Sequence, residues 1–123
     1  MFKPTLGAAV ALLLLIVTNT AVDAHANLTT STPPAGSTVQ ISPSEIRLQF
    51  NEAIEPRFSQ ISLEAKGSPP ISGGPASTDP NDKSIVIFKL PRLLEPGSYK
   101  VNWRVVSADT HKIKGSFTFH VRP

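Results

Sequence analysis

Short stretches of alternating apolar and polar residues recur along the chain. Residues 46–50, 61–63, 99–105 and 117–121 place an apolar side chain at every second position, which is the period of a strand with one buried face. Residues 85–88 are apolar at all four positions, which is typical of a central strand covered on both faces. Each of these stretches is therefore predicted to be a β-strand.

Turn-forming residues separate the strands. The chain has 12 prolines and 7 glycines, and clusters such as residues 33–37 and 95–98 carry the chemistry of tight turns. Residues 65–83 form the longest irregular stretch, with a weak strand expected near Ile71. No segment keeps a 3.6-residue apolar period, so the expected fold is all-β: a Greek-key β-sandwich or barrel of immunoglobulin type with about seven strands. The Cys-Trp-Cys pattern of true immunoglobulin domains is missing, because the chain has no cysteine.

The first 24 residues follow a different pattern. Lys3 precedes an unbroken run of apolar and small residues at positions 6–17, and small residues, Val22 and Ala24, stand before a cleavage point. This order is that of a secretory signal peptide, whereas a membrane-spanning helix needs about 20 apolar residues. We expect residues 1–24 to be removed, leaving residues 25–123 as one periplasmic or secreted domain without a membrane span.

Composition narrows the possible functions. The formal net charge is +3, and the basic residues are scattered along the sequence without a block or stripe, so no binding to nucleic acid is expected. The absence of cysteine excludes thiolate as a metal ligand or nucleophile.

Three residues form a candidate metal site. Removal of residues 1–24 would make His25 the first residue, whose α-amine and imidazole could chelate one ion. Asp109 and His111 are two positions apart, so in an extended chain their side chains would project to the same face. Nitrogen ligands with a carboxylate suit Cu(II). The alternatives are that His25 merely follows the cleavage site and that residues 109–111 form a polar turn.

The remaining chemical candidates are weaker. His120 alternates with apolar residues and is expected on the solvent side of its strand, while Trp103 shares a face with apolar neighbours and is expected in the core. Ser107 lies close to Asp109 and His111, but no nucleophile elbow or glycine-rich oxyanion loop accompanies them, so a hydrolytic triad is rejected.

The mature chain resembles the CopC/PcoC family of bacterial copper-resistance proteins. The resemblance is carried by residues 25–26 (HA), 31–36 (STPPAG), 48–52 (LQFNE) and the tract 96–119. It implies a β-sandwich that binds one Cu(II) through His25, Asp109 and His111. Glu52 matches an acidic residue that the family carries near the site, where it would at most orient a ligand; the alternative is a solvated carboxylate at a strand end. It also implies a role in copper sequestration or delivery, with an inner-membrane copper transporter of the CopD type as the partner.

One departure from the family is informative. Some members carry a second, methionine-rich Cu(I) site, since thioether sulfur favours Cu(I). The only methionine here is Met1, so no such Cu(I) site is expected.

Two other functions remain open. An amino-terminal histidine with a second histidine also occurs in the histidine brace of copper oxidoreductases that cleave glycans, although a carboxylate ligand favours holding Cu(II) over cycling it. A metal-free immunoglobulin-like interaction module would instead keep the side chains of His25, Asp109 and His111 more than about 8 Å apart, beyond shared ligation. We expect a binding protein and not an enzyme.

Overall fold

The computed structural model describes residues 27–72 and 75–123, which form two β-sheets. The first sheet contains β1 (Leu28–Thr32), β3 (Glu45–Phe50), β7 (Asp82–Lys89) and β6 (Ser77–Asp79), in the order β1-β3-β7-β6. The second contains β2 (Thr38–Val39), β9 (Lys112–Val121), β8 (Gly97–Val106), β4 (Gln60–Ala65) and β5 (Ile71–Ser72), in the order β2-β9-β8-β4-β5. A short 3-10 helix spans Pro56–Phe58. The predicted all-β sandwich is confirmed.

The strands follow the apolar alternation wherever one face is buried. On β8 the buried residues alternate with exposed or half-buried ones, and the same holds on β3. Both sets pack into one core whose members come from both sheets: Ile46, Leu48, Phe50, Ile61, Leu63, Val86, Phe88, Val101, Trp103, Val105 and Phe119, with others. Burial of one apolar face of each sheet therefore holds the two layers together.

Two sequence-based expectations need correction. The stretch 65–83 was expected to be irregular apart from a weak strand near Ile71. That strand is confirmed as β5, but the stretch also contains β6 and the first residues of β7. β6 (Ser77–Asp79) is polar and is defined by its pairing with β7, so it carries no apolar alternation to detect. Residues 85–88 were expected to be covered on both faces, yet Ile85 and Ile87 are only half-buried. Ile87 lies between Arg47 and Ser77 on the neighbouring strands, and these polar neighbours leave it partly exposed.

Trp103 lies in the core, as predicted. Its ring contacts Phe50 edge-on at a centroid distance of 6.2 Å and Phe117 at 5.9 Å. Gly115 stands directly opposite Trp103 on β9. A Cβ atom at Gly115 would lie 2.8 Å from Cε2 of the indole and closer still to Cζ2, so the absence of a side chain makes room for the tryptophan.

The β8–β9 hairpin is the longest pairing in the described structure. Its register runs without a break from Gly97 opposite Val121 to Val106 opposite Lys112. Residues 107–111 connect the two strands at one end, and it is this connection that carries Asp109 and His111. Among the described residues, no helix is long and apolar enough to cross a membrane.

Candidate metal centre

Residues 107–111 form a tight turn at the end of the β8–β9 hairpin. The Ser107 N–H donates to the His111 carbonyl at 3.0 Å, and the Thr110 N–H donates to the Ser107 carbonyl at 2.8 Å. Thr110 has a φ of 71°, a left-handed conformation that is uncommon for a β-branched residue. This bend folds Asp109 and His111 back over Ser107.

The hydroxyl of Ser107 forms hydrogen bonds to two other residues of the turn. Ser107 is fully buried, and its Oγ accepts a hydrogen bond from the His111 N–H at 3.2 Å. The same hydroxyl donates to Oδ1 of Asp109. One buried atom therefore fixes both the backbone of the histidine and the carboxylate of the aspartate.

The structure brings Asp109 and His111 together as predicted, but by a different route. Nδ1 of His111 lies 3.0 Å from Oδ1 of Asp109, and 46% and 48% of these side chains, respectively, are exposed. The expectation that an extended chain aligns them is wrong, and the alternative that residues 109–111 form a polar turn is correct. A solvent-accessible imidazole beside a carboxylate is a pair of donors that a metal ion can reach.

The electrostatics of the turn keep the carboxylate ionised. The hydrogen bond from Ser107, together with the neighbouring His111, lowers the pKa of Asp109 from 3.8 to about 2. Hydrogen bonds to a carboxylate stabilise its charged form. Asp109 is therefore an anionic oxygen donor throughout the neutral and mildly acidic range.

A second segment, residues 51–55, packs against the turn through backbone hydrogen bonds. The Ala108 N–H donates to the Ala53 carbonyl at 2.9 Å, and Ile54 forms an isolated β-bridge with Ser107. This contact joins the end of β3 to the end of β8. The turn is thereby braced by the other sheet.

The same segment holds the start of the described chain. The Asn27 N–H donates to Oδ1 of Asn51 at 2.7 Å, and the Asn51 N–H donates to the Asn27 carbonyl at 3.1 Å. Asn51 is two residues from Ala53, which contacts the turn. The chain just before β1 is thus anchored to the segment that packs against the turn, a role for Asn27 and Asn51 that the sequence analysis missed.

Two predicted features lie wholly or partly beyond what the structure describes. His25 and the predicted signal segment 1–24 fall outside the described residues. Glu52 is half-buried between Asn51 and Ala53, next to the turn, and no hydrogen bond or ion pair of Glu52 occurs among the described residues. Within that part of the chain, no group of three or more acidic, histidine or cysteine side chains could hold a metal ion. The described part of the site is a pair.

His120 lies at the opposite end of the hairpin from the turn. It is half-buried, and its Nδ1 lies 2.7 Å from the hydroxyl of Ser98, its cross-strand neighbour. His120 is nine positions along the chain from His111, and nine steps of extended strand span about 30 Å. His120 cannot share an ion with Asp109 and His111.

The fold and the turn together define a class of protein: a small two-sheet β-sandwich that presents a carboxylate and an imidazole on an exposed hairpin turn. The CopC domain family matches residues 28–122 of the chain, and the chain belongs to this family.

Individual relatives agree with this assignment. The chain is 38% identical over 114 residues to Protein YobA of Escherichia coli K12, which covers 93% of this chain and 92% of the relative. The crystal structure of CopC from Methylosinus trichosporium OB3b matches with a TM-score of 0.73 and 30% identity, over 80% of this chain and 95% of that one. PcoC from Escherichia coli, described as a methionine-rich copper-resistance protein, matches with a TM-score of 0.67 and 35% identity, over 80% of this chain and all of PcoC.

Proposed function

We propose that the mature protein binds one Cu(II) ion through His25, Asp109 and His111, outside the cytoplasm, and sequesters it or passes it to a membrane copper transporter. In this proposal the chain is a binding protein and not an enzyme. The observation that carries it is the exposed Asp109–His111 pair, whose donor atoms lie 3.0 Å apart.

The spacing of that pair suits ligation of a single ion. Nitrogen and carboxylate oxygen donors lie about 2.0–2.2 Å from a first-row metal ion. Two such donors at adjacent corners of a square plane are about 3 Å apart, and tetragonal nitrogen–oxygen sites favour Cu(II). Binding of the ion would displace the proton that Nδ1 of His111 donates to Oδ1 of Asp109.

The anchored start of β1 supports His25 as the third ligand. His25 precedes Asn27 by two residues, and two residues of extended chain reach about 7 Å. Asn27 is bonded to Asn51, beside the segment that contacts the turn. This anchoring supports a histidine at the chain terminus as the third ligand, and cleavage after Ala24 would free its α-amine as a further nitrogen donor.

The donor chemistry favours Cu(II) over Cu(I). The chain contains no cysteine, and its only methionine is Met1, within the predicted signal segment. Imidazole, amine and carboxylate are ligands for Cu(II), whereas Cu(I) prefers soft sulfur. The methionine-rich description given to PcoC does not apply to this chain, so one Cu(II) ion and no Cu(I) methionine site are proposed.

The test is a Cu(II) titration of protein whose chain begins at His25. Trp103 is the only tryptophan and lies about 13 Å along β8 from the turn, so its quenching reports binding. We expect one ion per chain and a tetragonal nitrogen–oxygen EPR spectrum. A matched protein with one glycine added before His25 should bind at least about a hundredfold more weakly, because the terminal chelate is lost. Equal affinity of the two proteins would refute the ligand set.

A pair of histidine variants isolates the turn. His111→Ala should weaken Cu(II) binding at least about tenfold. His120→Ala should leave binding unchanged, because His120 is at the far end of the hairpin. Equal losses in both variants would count against the site.

A further inference from the structure

The outer face of the second sheet carries a groove that begins at the turn formed by residues 107–111, called the metal turn here because it carries two of the proposed Cu(II) ligands. Its floor is formed by β4, β8 and β9, and its wall by the 3-10 helix at Pro56–Phe58. Two adjoining cavities, of about 1150 Å³ and 750 Å³, share Phe58, Gln60, Arg104 and Lys114 as lining residues. The smaller cavity reaches Thr110 in the metal turn.

The charge of this groove is of one sign. Four basic side chains line it, Arg57, Arg104, Lys112 and Lys114, and no acidic residue is among its described lining residues. None of the four forms a salt bridge within the described part of the chain. In the sequence these basic residues do not form a block. The pairing of β4 with β8 and of β8 with β9 brings them to one face of the sheet. A groove with this charge attracts an anionic partner.

Two of the basic residues oppose each other directly. Arg104 and Lys114 are cross-strand partners in the β8–β9 register, both are exposed on the outer face, and Gln60 completes the row on β4. Like charges at this position destabilise a sheet. A carboxylate placed between them would turn that repulsion into attraction.

An exposed aromatic ring stands at the edge of the same groove. Phe58 is 62% exposed, one of three large apolar side chains in the described chain that are so exposed, and the guanidinium of Arg57 lies 5.2 Å from its ring centre. An aromatic and an arginine side by side are typical of the residues that dominate protein–protein binding. This favours a protein over a lipid headgroup layer as the occupant of the groove.

We propose that this basic groove is the docking surface for an acidic segment of the protein that exchanges metal with this chain. The inference rests on the proposed copper function. The position of the groove indicates a metal-exchanging partner, because a segment bound along it would reach Thr110, which lies between Asp109 and His111 in the turn. Docking there would bring a partner's own metal ligands close to the turn.

The test uses a fluorescein-labelled peptide, Glu-Glu-Phe-Glu-Glu repeated twice, and its glutamine counterpart, with binding followed by anisotropy at low salt. The double variant Arg104→Glu/Lys114→Glu should bind the acidic peptide at least about tenfold more weakly than the wild type. This variant keeps a like-charged cross-strand pair, so its fold carries a similar internal repulsion. Circular dichroism confirms that it folds.

A control double variant has the same change in net charge outside the groove. Lys66→Glu/Arg92→Glu also reverses one lysine and one arginine, at exposed positions that do not line the groove, and should retain affinity within about twofold. Equal losses in the two double variants, or equal binding of the glutamine peptide, would overturn the proposal. Binding to vesicles of phosphatidylglycerol and phosphatidylcholine without binding to the peptide would overturn it in favour of a membrane surface.

Cu(II) titration of the same proteins separates the two proposals. Both double variants should bind one Cu(II) with wild-type affinity, because neither changes a proposed ligand. Loss of peptide binding in the groove variant alone, with no Cu(II) binding by the wild type, would leave the docking surface standing and refute the copper site. Intact Cu(II) binding with no peptide binding by the wild type or any variant would refute the docking surface and leave the copper site standing.

Discussion

Replacing Ser107 with alanine tests whether one buried hydroxyl builds the metal turn. The Ser107 hydroxyl accepts the His111 N–H at 3.2 Å and donates to the Asp109 carboxylate. The Ser107 backbone keeps its own bonds to His111 and Thr110, so alanine should preserve the path of the chain. The variant removes the hydrogen bonds of the Ser107 hydroxyl to Asp109 and to the backbone of His111 and little else.

The expected loss of stability in Ser107→Ala depends on which polar groups lose their hydrogen-bond partner. Half of the Asp109 side chain is exposed, so water can replace the hydroxyl. The stability that comes from the depressed pKa of Asp109 is therefore reduced by solvent screening, and losing the Ser107–Asp109 hydrogen bond should cost less than leaving the buried N–H unpaired. The His111 N–H points at a buried site, and an unsatisfied buried donor costs about 1–3 kcal/mol. We therefore expect the free energy of unfolding to fall by about 2 kcal/mol and Cu(II) affinity to fall about tenfold, as for other residues that orient a ligand.

Ser59 provides a matched control. It is the other buried polar residue of the described chain, at 5% exposure against 0% for Ser107. Its hydroxyl likewise makes two hydrogen bonds, donating to the Glu55 carbonyl at 2.8 Å and accepting the Val106 N–H at 3.0 Å. Ser59→Ala should lose a similar amount of stability but keep wild-type Cu(II) affinity, because Ser59 does not touch the donor atoms.

Three measurements decide the outcome: chemical denaturation followed by Trp103 fluorescence, Cu(II) titration, and NMR titration of the Asp109 carboxyl in metal-free protein. The pKa of Asp109 should rise from about 2 toward 3.8 in Ser107→Ala, because the hydrogen bond from Ser107 is the largest cause of its depression. A depressed pKa stabilises the folded state above pH 3.8, and this contribution is lost as the pH falls toward 2. If both serine variants lost Cu(II) affinity equally, or Asp109 titrated unchanged in Ser107→Ala, the assigned role would be wrong.

Three further variants test other parts of the structure by denaturation. Gly115→Ala should lower the free energy of unfolding by about 1–3 kcal/mol or more, since the new Cβ would overlap the Trp103 indole; unchanged stability would contradict the packing. Asp79→Asn should lower stability at neutral pH, because the hydrogen bond from Arg47 depresses the pKa of Asp79. The difference from wild type should shrink as the pH falls from 3.8 through the lowered pKa of Asp79; a difference that did not shrink with falling pH would refute the cause. Thr110→Asn should raise stability by about 0.5–1 kcal/mol, because asparagine tolerates the positive φ better; a loss would show that the threonine side chain favours the turn.

The sequence predicts those strands that bury one face against the core. Residues 99–105 alternate strictly because β8 has β4 on one side, β9 on the other and the core beneath. β6 escapes detection because it is a short edge strand made of Ser77, Thr78 and Asp79, whose pairing depends on β7 rather than on burial. Burial leaves a pattern in the sequence, whereas edge pairing does not.

The candidate site divides in the same way. The residue types at Asp109 and His111 indicate metal binding from the sequence alone, but the extended backbone assumed for them is wrong. The turn depends on Ser107 and on the left-handed Thr110, neither of which belongs to a pattern typical of turns. The residue types therefore predict the candidate ligands, but they do not predict the path of the backbone, because that path also depends on hydrogen bonds to residues distant in the chain such as Ala53.

The basic groove shows why charge read along a chain can mislead. Arg57, Arg104 and Lys114 are far apart in sequence or on different strands, so no run of charge appears. The antiparallel register between β8 and β9 places Arg104 opposite Lys114, and the 3-10 helix adds Arg57 at the edge. Because the same hairpin ends in the metal turn, its register sets both the position of Asp109 and His111 and the charge of the surface beside them. A partner attracted by that charge would approach the turn along the outer face of β8 and β9, where the smaller cavity reaches Thr110.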